Sequence, residues 1–269
     1  MSRRPDDRFK AVVMDVDGTL AGSDHLVNER TRRAVSRLHA VGLAGIILTG
    51  RSERAALAIA RDCHLGAPVI SAGGSVTTDP STGERIHVAS WIPDRVVRIL
   101  EVAGACGGQP LLWTVDHVYA EKSSSYTDAL YPQIGERVRI AKFADLVSRE
   151  PIVKVLVVGP PHLLDGFGAH LEKLIPEFKR SMPVFYDASP QGSSKIEALD
   201  RVLNRLGLRR EQCLGFGDGD TDIEWMAHLG HSVAVANASA GVRAIAAEVI
   251  GHHDEDAVAR YLEEAVLPH

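Results

Sequence analysis

Predicted strands and helices alternate at both ends of this 269-residue chain, and this alternation constrains the fold more than any other feature. Within residues 1–75, the apolar segments AVVM, GIIL and PVIS are separated by two stretches with apolar residues at helical spacing. The same rhythm returns after Gly192 and continues to a terminal helix. Strands that alternate with helices form a parallel sheet with helices on both faces. The sequence therefore predicts an α/β fold with a doubly wound, Rossmann-like parallel-sheet core.

The middle of the chain, residues 76–187, has frequent Pro and Gly and segments that predict hairpins. Two extended runs flank DPSTG, and a second pair of runs turns at the Asp-His of PLLWTVDHVYA. A strongly apolar strand and a helix follow, as PIVKVLVVGPP and HLLDGFGAHLEKLI. We interpret this segment as an inserted α+β domain. The predicted core comprises residues 1–78 and 190–269, and the predicted insertion comprises residues 79–189.

The composition argues against several functional classes. A net charge of −5 argues against broad nucleic-acid binding, which needs a basic surface. No apolar run approaches the ~18 residues of a membrane span, and the N-terminal MSRRPDDRFK lacks the apolar segment of a signal peptide. The three cysteines, Cys63, Cys106 and Cys213, fit no metal or redox motif. We therefore expect a cytoplasmic protein with no membrane or nucleic-acid partner.

Acidic residues collect at the predicted carboxyl ends of the core strands, where open parallel sheets bind ligands. Asp15 and Asp17 follow the first strand and share one face, because side chains alternate along a strand. The other candidates at this edge are Thr49 and Gly50 after the second strand, Asp218, Asp220 and Asp222 after CLGF, and Lys195 at the start of the preceding helix.

Several carboxylates at one crevice repel one another unless a cation lies between them. Oxygen donors without His or Cys suit a hard ion, and Mg²⁺ is the usual one. Mg²⁺ held by a few carboxylates commonly also binds a phosphate oxygen of the substrate. Thr49, backbone amides and Lys195 would then supply hydrogen-bond donors for that phosphate.

Other ligand motifs do not fit the segment GFGDGDTD. A dinucleotide-binding loop would need a third glycine where Asp220 stands, and the acids would repel a pyrophosphate. A calcium loop would need Gly and Glu where the chain has Ile223 and Leu229. The chain also lacks the G-x-x-x-x-G-K-[ST] phosphate-binding loop.

A second group of polar residues, His252 and His253 in GHHDEDAVARY, suggests a metal site. Adjacent histidines on a loop rarely reach one ion, and a helix start capped by Asp254 accounts for the acids. We therefore interpret the pair as part of a helix start.

Four segments in order carry a family resemblance: DVDGTL, LTGR, the lysine of SSKIEAL, and GDGDTD. They resemble the four motifs of the haloacid dehalogenase-like hydrolases. The insertion between the second and third motifs resembles the large α+β cap of the Cof-like, sugar-phosphatase branch. One such motif would be weak evidence, but four in order, each at the expected strand end, are specific.

The resemblance implies a role for each matching position. Asp15 would be the nucleophile that forms an aspartyl-phosphate, and Asp17 would protonate the leaving alcohol and then activate water. Thr49 and Lys195 would hold the phosphoryl oxygens. Mg²⁺ would bind Asp15, the backbone carbonyl of Asp17, and Asp218, with Asp222 as a further ligand or a supporting partner. Further candidates for phosphate or substrate contact are Val16, Gly50, Thr221 and Asn237.

Two positions depart from the family pattern. Thr221 stands where the fourth motif usually has Asn, and Ala72 replaces the Asn of a Ser-Asn-Gly-Ala loop. Both changes affect substrate contacts more than the nucleophile, so substrate identity stays open. We expect a Mg²⁺-dependent phosphatase for a small phosphorylated metabolite, either a sugar phosphate or a phosphorylated vitamin. The alternatives are a phosphotransferase or phosphomutase with the same nucleophile, and a non-catalytic binding module. The sequence gives no oligomeric state.

Overall fold

The computed structural model describes residues 9–105, 107–134, 136–182 and 184–268, so Cys106 lies outside the described residues. The strands are β1 (Ala11–Met14), β2 (Ala44–Ile47), β3 (Val69–Ser71), β4 (Val76–Thr78), β5 (Arg85–Val88), β6 (Gln109–Thr114), β7 (Val118–Ala120), β8 (Arg139–Ile140), β9 (Ile152–Val158), β10 (Phe178–Met182), β11 (Phe185–Ala188), β12 (Cys213–Gly217), β13 (His231–Ala234) and β14 (Glu248–Val249).

The α-helices are α1 (Glu29–Ser36), α2 (Glu53–Asp62), α3 (Pro93–Ala105), α4 (Ser125–Ala129), α5 (Tyr131–Ile134), α6 (Phe143–Val147), α7 (Pro161–Leu174), α8 (Lys195–Leu206), α9 (Ile223–Met226), α10 (Ala240–Ile245) and α11 (Ala257–Tyr261). None of the helices in the described part of the chain has both the length and the apolar character needed to cross a membrane.

A parallel sheet with the strand order β14–β13–β12–β1–β2 forms the core. In the central strand β1, Ala11 lies beside Cys213 of β12 on one side and beside Ala44 of β2 on the other. Every residue of β1 and β12 is buried, as expected for parallel strands that are covered on both faces. Because the strands are parallel, the loops after β1, β2 and β12 meet at one edge. The predicted α/β class with a parallel-sheet core is confirmed.

The predicted third strand, β3, joins the parallel sheet only through a single bridge between Leu48 and Ile70. It pairs instead with β4 and β5 in a three-stranded antiparallel sheet. A tight turn directly after β3, in which Ala72 and the two glycines after it have positive φ angles, reverses the chain and lets β3 pair with β4. The other edge of β3 still accepts a hydrogen bond at the Ile70 carbonyl from the Thr49 backbone N–H at 3.0 Å. The proposed domain boundary between residues 78 and 79 falls inside this small sheet, between β4 and β5.

The inserted segment forms a six-stranded sheet in the order β10–β11–β9–β6–β7–β8. The strand pairs are antiparallel except for β7 with β8, and the hairpin predicted in PLLWTVDHVYA is β6–β7. Helices α3 and α7 pack against one face, and β9 is buried along its whole length. We call this unit the cap. The predicted α+β character of the insertion is confirmed.

Helix α8 matters for the site because Lys195 is its first residue. Ser194 caps the helix by accepting a hydrogen bond from the backbone N–H of Glu197 at 3.3 Å. Gly207 ends it with a φ angle of +67°, a left-handed conformation that glycine adopts without strain. Both signals are local, so the sequence predicts where this helix begins and ends.

Candidate active site

The candidate site begins where β1 and β12 end side by side. Asp15 follows β1, and its backbone N–H donates a hydrogen bond to the carbonyl of Phe216 at 3.0 Å. Met14 and Phe216 are register partners, so the loop with Asp218 starts beside Asp15. The parallel pairing thus brings together acids that are about 200 positions apart in the chain.

Lys195 contacts both Asp15 and Asp222. Its Nζ lies 2.7 Å from Oδ1 of Asp15 and 2.6 Å from Oδ1 of Asp222, and all three side chains are nearly or fully buried. Burial by itself would lower the pKa of Lys195, but the charges of Asp15 and Asp222 raise it above its usual value. Burial and the charge of Asp222 raise the pKa of Asp15 well above its usual range, while Lys195 opposes that rise. The lysine therefore stays charged beside the predicted nucleophile.

Asp222 uses both carboxylate oxygens in hydrogen bonds within the protein. Oδ1 accepts from Lys195 and from Nε1 of Trp225 at 3.0 Å. Oδ2 accepts from the backbone N–H groups of Asp218 at 3.1 Å and Gly219 at 3.0 Å. These bonds favour the supporting role among the two predicted for Asp222. Sequence reasoning missed Trp225, although its position three residues after Asp222 places it within reach of that carboxylate.

Asp218 faces the loop after β1. Its Oδ1 accepts a hydrogen bond from the Thr19 hydroxyl at 2.9 Å. Gly18 has a φ angle of +80°, and a Cβ atom there would overlap the Asp218 carboxylate. Burial and the charge of Asp222 raise the pKa of Asp218 to about 6. Glycine in DVDGTL therefore serves the close approach of the two loops.

The carboxylates of Asp15, Asp218 and Asp222 could hold a cation, because they offer oxygen atoms that all lie within 4.8 Å of one another. The raised pKa values of Asp15 and Asp218 show the cost of keeping these charges together. A hard divalent cation would neutralise them, and an all-oxygen donor set suits such an ion. The residues present therefore fit the predicted metal.

Asp17 points to a different set of partners. Arg51 donates to both of its oxygens, from Nε at 3.0 Å and from Nη2 at 2.7 Å. Nδ1 of His25 lies 3.5 Å from Oδ1 of Asp17, and Arg51 also donates to the His25 carbonyl at 2.8 Å. The two hydrogen bonds from the Arg51 guanidinium hold the Asp17 carboxylate, and about a third of the Asp17 side chain stays exposed. Sequence reasoning gave no role to Arg51 or His25; the LTGR motif was the available signal for Arg51.

The remaining predicted residues divide into two groups. Gly50 and Thr221 line the cavity described below. Thr49 is fully buried, with its hydroxyl accepting from the Arg51 backbone N–H at 3.2 Å. Val16 is buried in the core. The Asn237 amide donates to the Gly18 carbonyl at 2.8 Å and accepts from the His253 N–H at 3.1 Å, so it braces the loop after β1. Direct phosphate or substrate contact by these residues stays a prediction.

A cavity of about 620 Å³ lies between the core edge and the cap. Its core wall includes Asp15, Asp17, Arg51, Lys195, Asp218 and Asp222, and its cap wall includes Trp113, Lys154, Leu156, Phe185 and Asp187. Gly73 from the turn after β3 also lines it. A Cβ on Gly74 would overlap the Ser193 carbonyl, so this turn packs tightly against the segment before Lys195. The cavity has the size and enclosure of a small-molecule site.

The histidine pair lies outside this cavity. His252, His253 and Asp254 offer atoms within 4.8 Å of one another, a grouping the sequence argument did not expect. The predicted helix cap is wrong: Asp254 accepts from the backbone N–H of Ser23 at 2.7 Å and from its hydroxyl at 2.6 Å. Nδ1 of His253 lies 2.8 Å from the carbonyl of Ala21. These bonds tie the loop after β1 to the C-terminal segment.

Comparison with known proteins agrees with this fold. The model of the haloacid dehalogenase-like hydrolases matches residues 12–262, so the chain belongs to this family. The Cof-like branch, which the motifs and the cap resemble, is confirmed with it.

Individual relatives cover nearly the same span. The chain is 23% identical over 260 residues to a 5-amino-6-(5-phospho-D-ribitylamino)uracil phosphatase, YitU, of Bacillus subtilis, covering 94% of this chain and 96% of the relative. It is 28% identical over 236 residues to a phosphoglycolate phosphatase of Aeropyrum pernix, and the match covers 86% of this chain and 82% of the relative. A crystal structure of a haloacid dehalogenase-like hydrolase from Bacteroides thetaiotaomicron superposes with a TM-score of 0.85 at 25% identity, covering 95% and 98%.

Proposed function

We propose that this protein is a Mg²⁺-dependent phosphatase that hydrolyses phosphate monoesters of small metabolites through an aspartyl-phosphate on Asp15. The observation that carries the proposal is the joint contact of Lys195 with Asp15 and Asp222 at the floor of the cavity. The named phosphatases among the relatives support the reaction class. Their printed substrates differ, so they support small phosphorylated metabolites as a class and no single compound.

In the first step, the Asp15 carboxylate attacks phosphorus and forms a P–O bond, while the bond from phosphorus to the leaving oxygen breaks. Asp15 is oriented because Lys195 holds one of its oxygens at 2.7 Å. Asp17 gives a proton to the leaving oxygen, so an alcohol departs. Thr49, Lys195 and backbone N–H groups near Val16 and Gly50 supply donors for the phosphoryl oxygens.

In the second step, Asp17 accepts a proton from a water molecule as that water attacks phosphorus. The bond from phosphorus to Asp15 breaks, inorganic phosphate forms, and the Asp15 carboxylate is regenerated. Arg51 has a positioning role, because its two hydrogen bonds hold the Asp17 carboxylate in one orientation. Water must enter for this step, whereas a phosphotransferase would place a second alcohol there.

Mg²⁺ would be held by Asp15, Asp218 and the Asp17 carbonyl, with Asp222 supporting the loop through its four hydrogen bonds. When bound, the ion neutralises the carboxylates and the negative charge of the phosphoryl group. Oxygen ligands without nitrogen or sulfur suit Mg²⁺ better than zinc or copper.

The test is phosphate release from a panel of phosphorylated metabolites, with Mg²⁺, with chelator and with Asp15→Asn. We expect release that needs both Mg²⁺ and Asp15. We also expect intact-protein mass spectrometry to detect a phosphoryl adduct in acid-quenched wild type and none in Asp15→Asn. Asp220→Asn is the matched control, because this exposed aspartate lies in the same loop and its side chain accepts a hydrogen bond from the Ser239 hydroxyl, outside the acidic cluster.

Release that persists in Asp15→Asn would refute the assigned nucleophile. Transfer of the phosphoryl group to an added alcohol, without free phosphate, would favour the phosphotransferase instead. No adduct and no release from any compound would favour a binding module.

A further inference from the structure

Lys154 and Asp187 form a charged pair on the cap sheet and line the cavity, which Lys179 of β10 also lines. Lys154 of β9 lies directly opposite Trp113 of β6, and Asp187 of β11 lies opposite Leu156, two residues further along β9. Side chains two apart on a strand share one face, so Lys154 and Leu156 point to the same side of the sheet. This side faces the cavity, while the opposite side packs against α3 and α7.

Lys154 is buried and paired within the cap. Its Nζ lies 2.5 Å from Oδ2 of Asp187 and 5.3 Å from the centre of the Trp113 ring. Only 6% of the Lys154 side chain and 18% of the Asp187 side chain are exposed. A charge this deeply buried is stable only when it is paired, and the carboxylate and the ring face supply that pairing.

The same ammonium reaches the core. A Cβ atom built on Gly50 would lie 3.9 Å from Nζ of Lys154, so the cap lysine lies against the loop that follows β2. Gly50 and Arg51 belong to that loop and line the cavity beside Asp17. An ester bound with its phosphate at Asp15 would therefore place its leaving group near Lys154.

Trp113 adds a hydrogen-bond donor that is not used. Its ring is 2% exposed and lines the cavity, and its Nε1 has no hydrogen-bond partner among the described residues. A buried indole N–H without an acceptor lowers the stability of the folded protein, and native structures rarely contain one. The N–H is itself closed off from the cavity, so Trp113 contributes to the site through its ring, against which Lys154 lies.

We propose that Lys154, Asp187 and Trp113 recognise the leaving group and select an uncharged one that carries hydroxyl groups. This rests on the proposed phosphatase function. A hydroxyl group can accept from Lys154 and donate to Asp187, whereas a carboxylate can only accept. Asp187 already neutralises Lys154, so this pair offers no unpaired cation to an acidic leaving group, whereas a hydroxyl group can use both members of the pair.

The decisive experiment compares two esters that differ in one group, 2-hydroxyethyl phosphate and phosphoglycolate. We expect wild type to favour 2-hydroxyethyl phosphate by about tenfold or more in kcat/KM. Asp187→Asn leaves Lys154 unpaired and should shift the ratio toward phosphoglycolate by about tenfold. Asp165→Asn, on the outer cap helix with its side chain 70% exposed, is the matched control and should leave the ratio unchanged.

A second variant separates the leaving group from the phosphoryl group. Lys154→Met keeps the aliphatic chain against Trp113 but removes the charge. We expect KM for 2-hydroxyethyl phosphate to rise about tenfold while the inhibition constant of inorganic phosphate stays within about twofold. Lys173→Met, an exposed lysine on α7, is its control.

The outcomes distinguish this proposal from the one it rests on. An unchanged ester ratio in Asp187→Asn, or an inhibition constant for phosphate that rises together with KM in Lys154→Met, would overturn the recognition proposal alone, provided that release still requires Asp15. Absence of Asp15-dependent release from every ester would overturn both proposals.

Discussion

Asp218→Asn should make the metal-free protein more stable at neutral pH, although it should abolish the activity that depends on the metal. Burial of the Asp218 side chain, together with the charge of Asp222, raises the pKa of Asp218 from an ordinary 3.8 to about 6. The Asn amide oxygen can still accept the hydrogen bond that Thr19 donates at 2.9 Å. The substitution therefore removes a charge and keeps the local contact.

Proton linkage gives the direction in which the charge of Asp218 changes the free energy of unfolding. The folded-state pKa of Asp218 is raised, so its stabilising contribution is fully present below about pH 3.8 and is lost as the pH rises through about 6. A difference of about two pH units corresponds to about 3 kcal/mol at pH 7, since each unit is worth about 1.4 kcal/mol. Asn avoids this loss, so the gain should be about 3 kcal/mol at pH 7 and roughly half as large at pH 5.

The assay is urea unfolding of wild type and Asp218→Asn in chelator at several pH values. Adding Mg²⁺ should raise the free energy of unfolding of wild type, by about 2.7 kcal/mol at a hundredfold excess over the dissociation constant, and should affect the variant much less. Asp220→Asn, an exposed change in the same loop, should stay within about 0.5 kcal/mol of wild type.

Two results would refute this reasoning. One is an Asp218→Asn protein that is less stable than wild type in chelator at pH 7. The other is a stability difference that does not shrink as the pH falls, because a difference independent of pH cannot come from the titration of Asp218.

Three further changes test other parts of the site. Gly18→Ala should lower Mg²⁺-dependent activity at least about tenfold and destabilise the protein by about 1–3 kcal/mol, because its φ angle is +80° and a Cβ would strike Asp218; kinetics and thermal unfolding would check this. Arg51→Met should lower kcat about tenfold or more with a small effect on KM, and Arg51→Lys should restore part of it, as steady-state kinetics would measure. Thr221→Asn should change KM or substrate preference and leave metal dependence intact; loss of metal dependence would contradict the predicted role of this cavity-lining residue.

The strand ends and their acids could be predicted from the sequence because each depends on local pattern. Apolar runs define β1, β2 and β12, and parallel strands bring their carboxyl ends to one edge. The sequence therefore predicts that Asp15, Lys195 and Asp218 are neighbours. The start and end of α8 were predictable for the same reason, since Ser194 and Gly207 act within one helical turn.

Pairings between distant segments were decided only by the tertiary structure. The contact of Arg51 with Asp17 joins the loops that follow two different strands, so it depends on how those loops pack. The pairing of β3 with β4 likewise depends on the backbone angles of the turn between them.

The cavity shows most clearly which features follow from the sequence and which from the tertiary structure. The motif sequence by itself determined a floor of acids and one lysine, because each motif residue lies at a strand end or a helix start. The cap wall, with Lys154 paired to Asp187 beside Trp113, came only from the register of three strands. Register fixes which side chains become neighbours across a sheet, and it is set by the packing of the whole sheet instead of by any single segment.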